Sequence, residues 1–162
     1  MKDIVGFTNY TINENGEVYS KYMGRLMKQC LNTNGYYVVN LVGDDTIRKY
    51  LLVHRLIYQI FILEEGKTMP DEIDHINNIK TDNSKDNLRG ATHSQNQWNR
   101  WKYKNNTSGH KNICITQYGT FEVKINHTKR YSKSFKTLEE AIADRDVKII
   151  EFHGEFANNG NS

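Results

Sequence analysis

The sequence predicts an α+β protein with three parts: a small N-terminal antiparallel β region, a central strand–loop–strand–helix, and a C-terminal three-stranded sheet packed on one helix. Three observations carry this expectation. Short alternating runs separated by Asn-Gly turns fill residues 1–52. An apolar run ends in an acid and a histidine, Ile73-Asp74-His75-Ile76, and returns after a polar loop through Asn87-Leu88-Arg89. The period-two pattern restarts at Ile113 and gives way at Thr137 to a helical stripe.

Composition narrows the class. With 162 residues and 37% hydrophobic content, the chain suits one ordinary domain or two small units with modest cores. The net charge of +3 is mild, but its distribution is not even. From Arg100 to Lys136 the only carboxylate is Glu122, among many cations interleaved with aromatics. A solvated face can look like this, and so does a surface that meets phosphates. Cys30 and Cys114 stand apart with no Cys-x-x-Cys pair, which argues against a zinc ribbon and reads as buried thiols in a reducing compartment. No leader or long apolar run is present, so the expectation is a soluble intracellular protein with no membrane partner.

In the N-terminal region, Asn9-Tyr10-Thr11-Ile12 and Glu17-Val18-Tyr19-Ser20 read as strands around the turn Asn13-Glu14-Asn15-Gly16. Gly24 to Leu31 and Tyr36 to Val42 flank a second hairpin turn, Asn32-Thr33-Asn34-Gly35. After Gly43-Asp44-Asp45, Ile47 to Val53 reads as the last strand of one small sheet. Leu56, Ile57, Ile60 and Phe61 then recur at helical spacing, with His54 at the start. His54 there fits a structural role and also a phosphate contact. Gly66 and Pro70 mark the loop that follows.

Glu72 to Ile76 and Leu88 to Ala91 are the central strands. Residues 77–86 between them read as a loop whose polar side chains serve mainly solubility and turns. Thr92 and Gln95 fit a capping box, with a helix from His93 to about Lys102. Tyr103 to Ser108 reads as a polar linker. Ile113 to Thr116, Phe121 to Ile125 and Arg130 to Phe135 are three strands, turned at Tyr118-Gly119-Thr120 and Asn126-His127-Thr128. Thr137-Leu138-Glu139-Glu140 is a second capping box. It opens a helix whose stripe is Leu138, Ala141, Ile142, Arg145, Ile149 and Phe152, ending at Gly154. That stripe and the apolar sheet face can bury each other and leave a basic sheet face open. Lys124, Arg130 and Lys133 are its phosphate-contact candidates, joined by Arg100, Lys102 and Lys111.

Asp74 and His75 suit phosphodiester hydrolysis. A histidine near its ordinary pKa can take a proton from water at neutral pH. A carboxylate and an amide oxygen, here Asp74 and Asn96, suit a hard divalent cation that keeps several waters. Adjacent strand residues point to opposite faces, so the backbone is expected to leave strand geometry at Asp74-His75, with Asn87 as the brace. On the residues alone an ordinary loop-edge hydrogen bond between Asp74 and His75 stays open as the alternative.

Val53-His54-Arg55-Leu56-Ile57, Ile73-Asp74-His75-Ile76-Asn77-Asn78, Asn87-Leu88-Arg89 and Thr92 to Asn96 together resemble the HNH endonuclease family. They are most similar to its asparagine-rich branch of phage and intron-encoded homing enzymes. The resemblance implies a ββα-metal nuclease motif with core 53–102, in which His75 is the general base, Asp74 and Asn96 hold one Mg2+ or Mn2+, and Asn87 shapes the loop. Asn96 stands where many members have histidine, and Asn99, one turn on, is the competing ligand. Tyr10-Thr11-Ile12, Asn15-Gly16-Glu17-Val18 and Gly35-Tyr36 resemble the segment that precedes the nuclease in those enzymes, giving a first domain over 1–102. Residues 109–157, after a 103–108 linker, are similar to the APETALA-type (ethylene-response-factor) DNA-binding domain. The carriers are Ser108-Gly109, Phe135-Lys136-Thr137, Glu139-Glu140-Ala141 and Phe152-His153-Gly154-Glu155-Phe156-Ala157. The third strand is a residue shorter than that pattern, so no individual base contacts carry over. The resemblances imply double-stranded DNA as partner, nicking by a monomer, and residence in the cytoplasm of a bacterium that hosts a phage or mobile element. The rival reading is a catalytically inert DNA-binding regulator.

Overall fold

A computed structural model describes residues 1–126 and 130–160. The expected turn at Asn126-His127-Thr128 therefore lies largely outside the described residues. The chain is α+β and divides into two compact units, Met1–Thr92 and His93–Ser162.

The first unit opens with an antiparallel sheet of β1 (Lys2–Ile4), β2 (Phe7–Ile12), β3 (Val18–Ser20) and β4 (Arg25–Leu26). A second antiparallel sheet follows, of β5 (Gln29–Leu31), β6 (Tyr37–Val42) and β7 (Arg48–Leu52). The single expected sheet is thus two, because the run from Gly24 to Leu31 breaks in its middle. Met27 N–H still bonds the Val18 carbonyl at 2.7 Å, while the Gln29 side chain donates to the Gly16 carbonyl at 2.6 Å and starts the next sheet. The strand β1 was not foreseen; its three residues carry too little alternation.

α1 (Val53–Ile57) passes directly into a π-helical turn, Tyr58–Ile62, closed by Leu63 N–H to the Tyr58 carbonyl at 2.8 Å. The expected single helix is therefore two helical forms. The hairpin of β8 (Glu72–His75) and β9 (Leu88–Ala91) follows, in the register Asp74 opposite Arg89 and His75 opposite Leu88. One core joins all of these elements. Ile12 and Val18 from the first sheet, Val39 and Leu41 from the second, Val53, Leu56 and Ile57 from α1, and Ile73 and Leu88 from the hairpin form a single buried cluster.

In the second unit α2 spans His93–Asn99, shorter than expected. It stops where Asn99, 3% exposed, accepts the Asn158 amide at its carbonyl (2.7 Å), and Arg100 N–H tightens onto the Gln97 carbonyl. The sheet is β10 (Ile113–Ile115), β11 (Phe121–Asn126) and β12 (Arg130–Phe135), and α3 (Leu138–His153) covers one face. The capping box at Thr137 and Glu140 is present, and Gly154 ends the helix at φ 53°. Ile113, Val123, Ile125, Ala141 and Ile149 form this unit's core.

The stretch expected as a linker lies inside the second unit. The Ser108 hydroxyl donates to the Ile113 carbonyl at 2.6 Å and the Asn106 amide to the His110 carbonyl at 2.9 Å. Polar side chains there replace ladder partners, which composition alone reads as solvation. Both cysteines are free thiols, but Cys30 is exposed, contrary to the expectation of burial. It sits on a short strand, β5, whose Leu31 is also exposed. No helix among the described residues is long and apolar enough to cross a membrane.

Candidate active site

The first unit gathers its polar burial around one hairpin. Asp74, His75, Asn83 and Asn87 are all buried, at 3%, 5%, 5% and 8% exposure. Such groups are buried only when partnered, and the loop between β8 and β9 supplies the partners.

Strand geometry runs through both Asp74 and His75, against the expectation that the backbone breaks there. The departure comes just afterwards. Ile76 N–H bonds the Asn87 carbonyl at 2.8 Å, and Asn78 turns at φ 60°, its N–H on the His75 carbonyl at 2.8 Å. Asn87 spans the loop with both halves of its amide. Its Oδ1 accepts Asn77 N–H at 3.0 Å and its Nδ2 donates to the Asp82 carbonyl at 2.8 Å. Asp82 folds the loop further, accepting from the Asn77 amide and the Ser84 hydroxyl, both at 2.7 Å. The bond from Ser84 is the first cause that holds the Asp82 carboxyl below its ordinary range. These loop side chains are architecture, not only solubility.

His75 Nε2 lies 3.1 Å from Asn83 Oδ1. With Nε2–H donating to that oxygen, the lone pair sits on Nδ1. The ring also meets Tyr36 (centroids 5.8 Å apart) and, edge-on, His54 (5.3 Å). Burial is the main cause that lowers its pKa, against the opposing pull of Asn83 and the carboxylates of Asp74 and Asp82. Burial thus favours the neutral imidazole. His54 is 7% exposed, and burial, then His75 and Arg55, push its pKa to about 4. Asn83 and the inward aim of His54 were not legible in the sequence: Asn83 is one amide in a run of polar residues, and His54 is drawn in only because α1 packs under the hairpin's core.

Asp74 receives the Arg89 guanidinium, Nε at 2.9 Å and Nη2 at 2.8 Å on the same oxygen. A carboxylate offers roughly four lone-pair positions, so an arginine on one oxygen is compatible with a cation on the group. Among the described residues no three His, Cys, Asp or Glu side chains cluster as metal ligands. Within the first unit Asp74 is the carboxylate on offer, a donor type that suits a hard, well-hydrated cation. Asn96 is half-buried in α2 of the second unit, and Asn99, its rival, is committed to Asn158.

The phosphate-contact candidates divide. Arg100 and Lys102 are exposed; Arg100 donates to the Gln97 side chain (2.7 Å) and lies over the Tyr103 ring, and Lys102 donates to the Gly109 carbonyl (2.8 Å). Lys111 is half-buried, donates to the Trp98 carbonyl, and has its pKa lowered to about 8 by burial and by Arg145. It is a tether of α2, which its charge did not reveal. Arg130 is exposed opposite Asn126, and Lys124 shares that face but pairs with Glu122 at 2.8 Å. Lys133 does not share it. It stands opposite Val123, on the α3 side, 3.7 Å from Asp144 and over the Phe135 ring. Residues 130 and 133 differ in parity, so alternation itself separates them.

A two-stranded hairpin with a braced loop, a buried imidazole and an adjacent carboxylate has the groups that a histidine-centred hydrolytic site of the strand–loop–strand kind needs. Comparison with known proteins agrees. The HNH endonuclease family model matches residues 51–98, and the NUMOD4 motif model residues 2–42. An uncharacterised HNH endonuclease of Acanthamoeba polyphaga mimivirus is 33% identical over 141 residues, 86% of this chain and 67% of that protein. A second from the same virus is 32% identical over 88 residues, 54% of this chain and 26% of that protein. Among solved structures, the HNH homing endonuclease I-HmuI, described in terms of DNA binding and cleavage, superposes with a TM-score of 0.53 at 23% identity, over 94% of this chain and 90% of that one. The chain belongs to the HNH endonuclease family. It spans two thirds of one viral relative and about a quarter of the other.

Proposed function

We propose that this protein is a divalent-metal-dependent DNA endonuclease of the homing type that hydrolyses phosphodiesters with His75 as general base. The observation that carries the proposal is the His75–Asn83 contact of 3.1 Å in a buried setting that favours the neutral imidazole. Held by Asn83, the ring takes a proton from a water as the oxygen attacks phosphorus. Asn87 keeps the loop, and so the ring, in place. Asp74 and Asn96 would hold one Mg2+ or Mn2+, which would supply charge neutralisation at the phosphate and at the departing oxygen. Arg89 orients the Asp74 carboxylate.

Duplex DNA is the partner in this reading. Arg100, Lys102, Lys124 and Arg130 meet its phosphates, and the second unit's sheet acts as an APETALA-type module in the major groove. One site per chain means that a monomer nicks one strand. The setting is the cytoplasm of a bacterium carrying a phage or mobile element.

The test is incubation of supercoiled plasmid with the protein in Mg2+, Mn2+ or chelator, with His75→Ala in parallel. Nicking that requires both the metal and His75 is expected. Binding without cleavage under every metal would favour an inert DNA-binding regulator, and cleavage at the wild-type rate by His75→Ala would remove the general-base assignment.

A further inference from the structure

The second unit contains an open cleft of about 420 Å3 that the hydrolytic site does not use. It has the size of pockets that take small organic ligands, roughly 300–1,000 Å3. Its wall includes Trp98, Trp101 and Tyr103, and its far side is built from residues around β10 and β11. Trp98 is already stacked flat on His153, with centroids 4.6 Å apart. Trp101 and Tyr103 are not buried: they remain 39% and 69% exposed. Two large rings left this open beside a cleft make a stacking platform, with Arg100 set over the Tyr103 ring.

The charge of the cleft has one sign. Its lining contains Arg100, Lys102, Lys111 and Lys124 and no carboxylate, in a chain with 22 basic and 19 acidic residues. Lys124 is offset by Glu122, and Lys111 is spent on Trp98. Arg100 and Lys102 meet no carboxylate among the described residues, and Arg100 lies over the Tyr103 ring at 5.8 Å. The cleft thus pairs open aromatic rings with uncompensated cations. Asn112, also in the lining, donates to the Lys124 carbonyl at 2.9 Å, while its Oδ1 is buried and accepts no hydrogen bond among the described residues.

We propose that this cleft takes one unstacked nucleotide of a DNA strand, with the base against Trp101 and Tyr103 and the phosphate beside Arg100 and Lys102. The inference rests on the DNA-binding reading above and narrows it. A base inside a duplex has both faces covered by its neighbours, so an aromatic platform rewards a strand with an unpaired nucleotide. The protein then distinguishes gapped or distorted DNA from regular duplex.

The test uses the full chain in chelator, so that no strand is cut. Three probes are titrated: a regular duplex, the same duplex with one unpaired 2-aminopurine, and free deoxyadenosine monophosphate. The unpaired probe should bind about tenfold tighter than the regular duplex, a gain of the size one stacked base supplies, with quenching of its emission. Trp101→Ala should remove both the gain and the quench and leave affinity for the regular duplex in place, and Trp101→Phe should restore most of the gain. Tyr103→Ala, at a more exposed ring, covers the case in which Trp101→Ala does not fold. Equal affinity for the two duplexes, or a quench that survives both alanine variants, would overturn the proposal. Free monophosphate binding as tightly as the unpaired probe would make this a site for free nucleotides and overturn the strand assignment. If neither duplex binds at all, the DNA-binding reading itself fails, and this one with it.

Discussion

Asn83 Oδ1 stands 3.1 Å from Nε2 of His75, and both side chains are 5% exposed. An imidazole in this position is held by a neutral amide from the loop. Asn83→Ala should slow nicking about tenfold to hundredfold, part of the roughly 10²–10⁴ a positioned base contributes, with DNA affinity little changed. Asn83→Asp would place a carboxylate on the ring, favour imidazolium, and move the acid limb of the pH–rate profile upward. An unaltered rate and profile in both variants would mean that the contact does not position the base.

His54 makes stability depend on pH. Its folded pKa is about 4 against an ordinary 6.5, so between those values the unfolded chain binds a proton that the native state does not. Stability contributed by the neutral ring is complete above 6.5 and is lost as pH falls through this window, by roughly 3 kcal/mol in full. His75, also lowered, adds to the same trend. Urea midpoints followed from about pH 7 to about pH 4.5 should fall less steeply in His54→Phe than in the wild type. Parallel curves would assign the acid sensitivity to other groups.

Gly16 is the second place where one atom matters. It turns at φ 87°, and a Cβ there would meet Val53 Cγ1 at 2.9 Å and Asn83 Cβ at 3.4 Å. Gly16→Ala should cost about 1–3 kcal/mol from the strained backbone and the contact together. Because the contact reaches Asn83, it should also slow nicking beyond what lost stability explains. Wild-type thermal stability in this variant would show that the turn relaxes freely.

Arg145 is wholly buried, with Nη1 on the carbonyls of Lys111 (2.8 Å) and Asn159 (3.1 Å) and Nε on Asp146 (2.7 Å). Arg145→Met keeps the stem but strips those acceptors, and should destabilise the second unit by about 2–4 kcal/mol. The Lys111 amine, no longer beside that charge, should titrate above its present value of about 8. Urea unfolding followed by tryptophan emission reads the first effect, and a lysine-specific NMR titration the second.

The sheet register separates the basic residues expected to meet DNA in the proposed reading. Arg130→Ala should reduce the salt slope of binding by roughly one, as expected for one phosphate contact. Lys133→Ala should leave the slope unchanged, because its partner is Asp144 on α3. Lys124, paired with Glu122, should give a smaller change than Arg130. A full unit lost in Lys133→Ala would show that the ion pair opens on binding.

The elements with strong periodicity were legible in the sequence: the central hairpin, the C-terminal strands and α3 with its capping box all follow their predicted patterns closely. What the sequence hides are interactions chosen by tertiary context. Arg145 sits in an apolar stripe as if misplaced, and only the carbonyls around it explain its burial. Asn83 is indistinguishable from its neighbours until the loop folds around Asp82 and Asn87. The split of Gly24 to Leu31 between two sheets depends on where Val18 and Gly16 offer carbonyls, which no local pattern encodes. Charge was the least specific guide, since Lys111 and Lys133 read as phosphate candidates while one donates to the Trp98 carbonyl and the other lies beside Asp144.

The turn at Gly16 also bears on descent. Residues 2–42 and 51–98 match separate family descriptions, which suggests cassettes free to recombine. Yet a side chain at that turn would meet Val53 and Asn83, and Ile12, Val39, Val53 and Leu88 share one buried cluster. A lineage that swapped the first cassette would have to bring a side-chain-free turn and a matching apolar face with it, or leave the imidazole unsupported. Shuffling among such genes should therefore have passed residues 2–92 on as a single inheritable block.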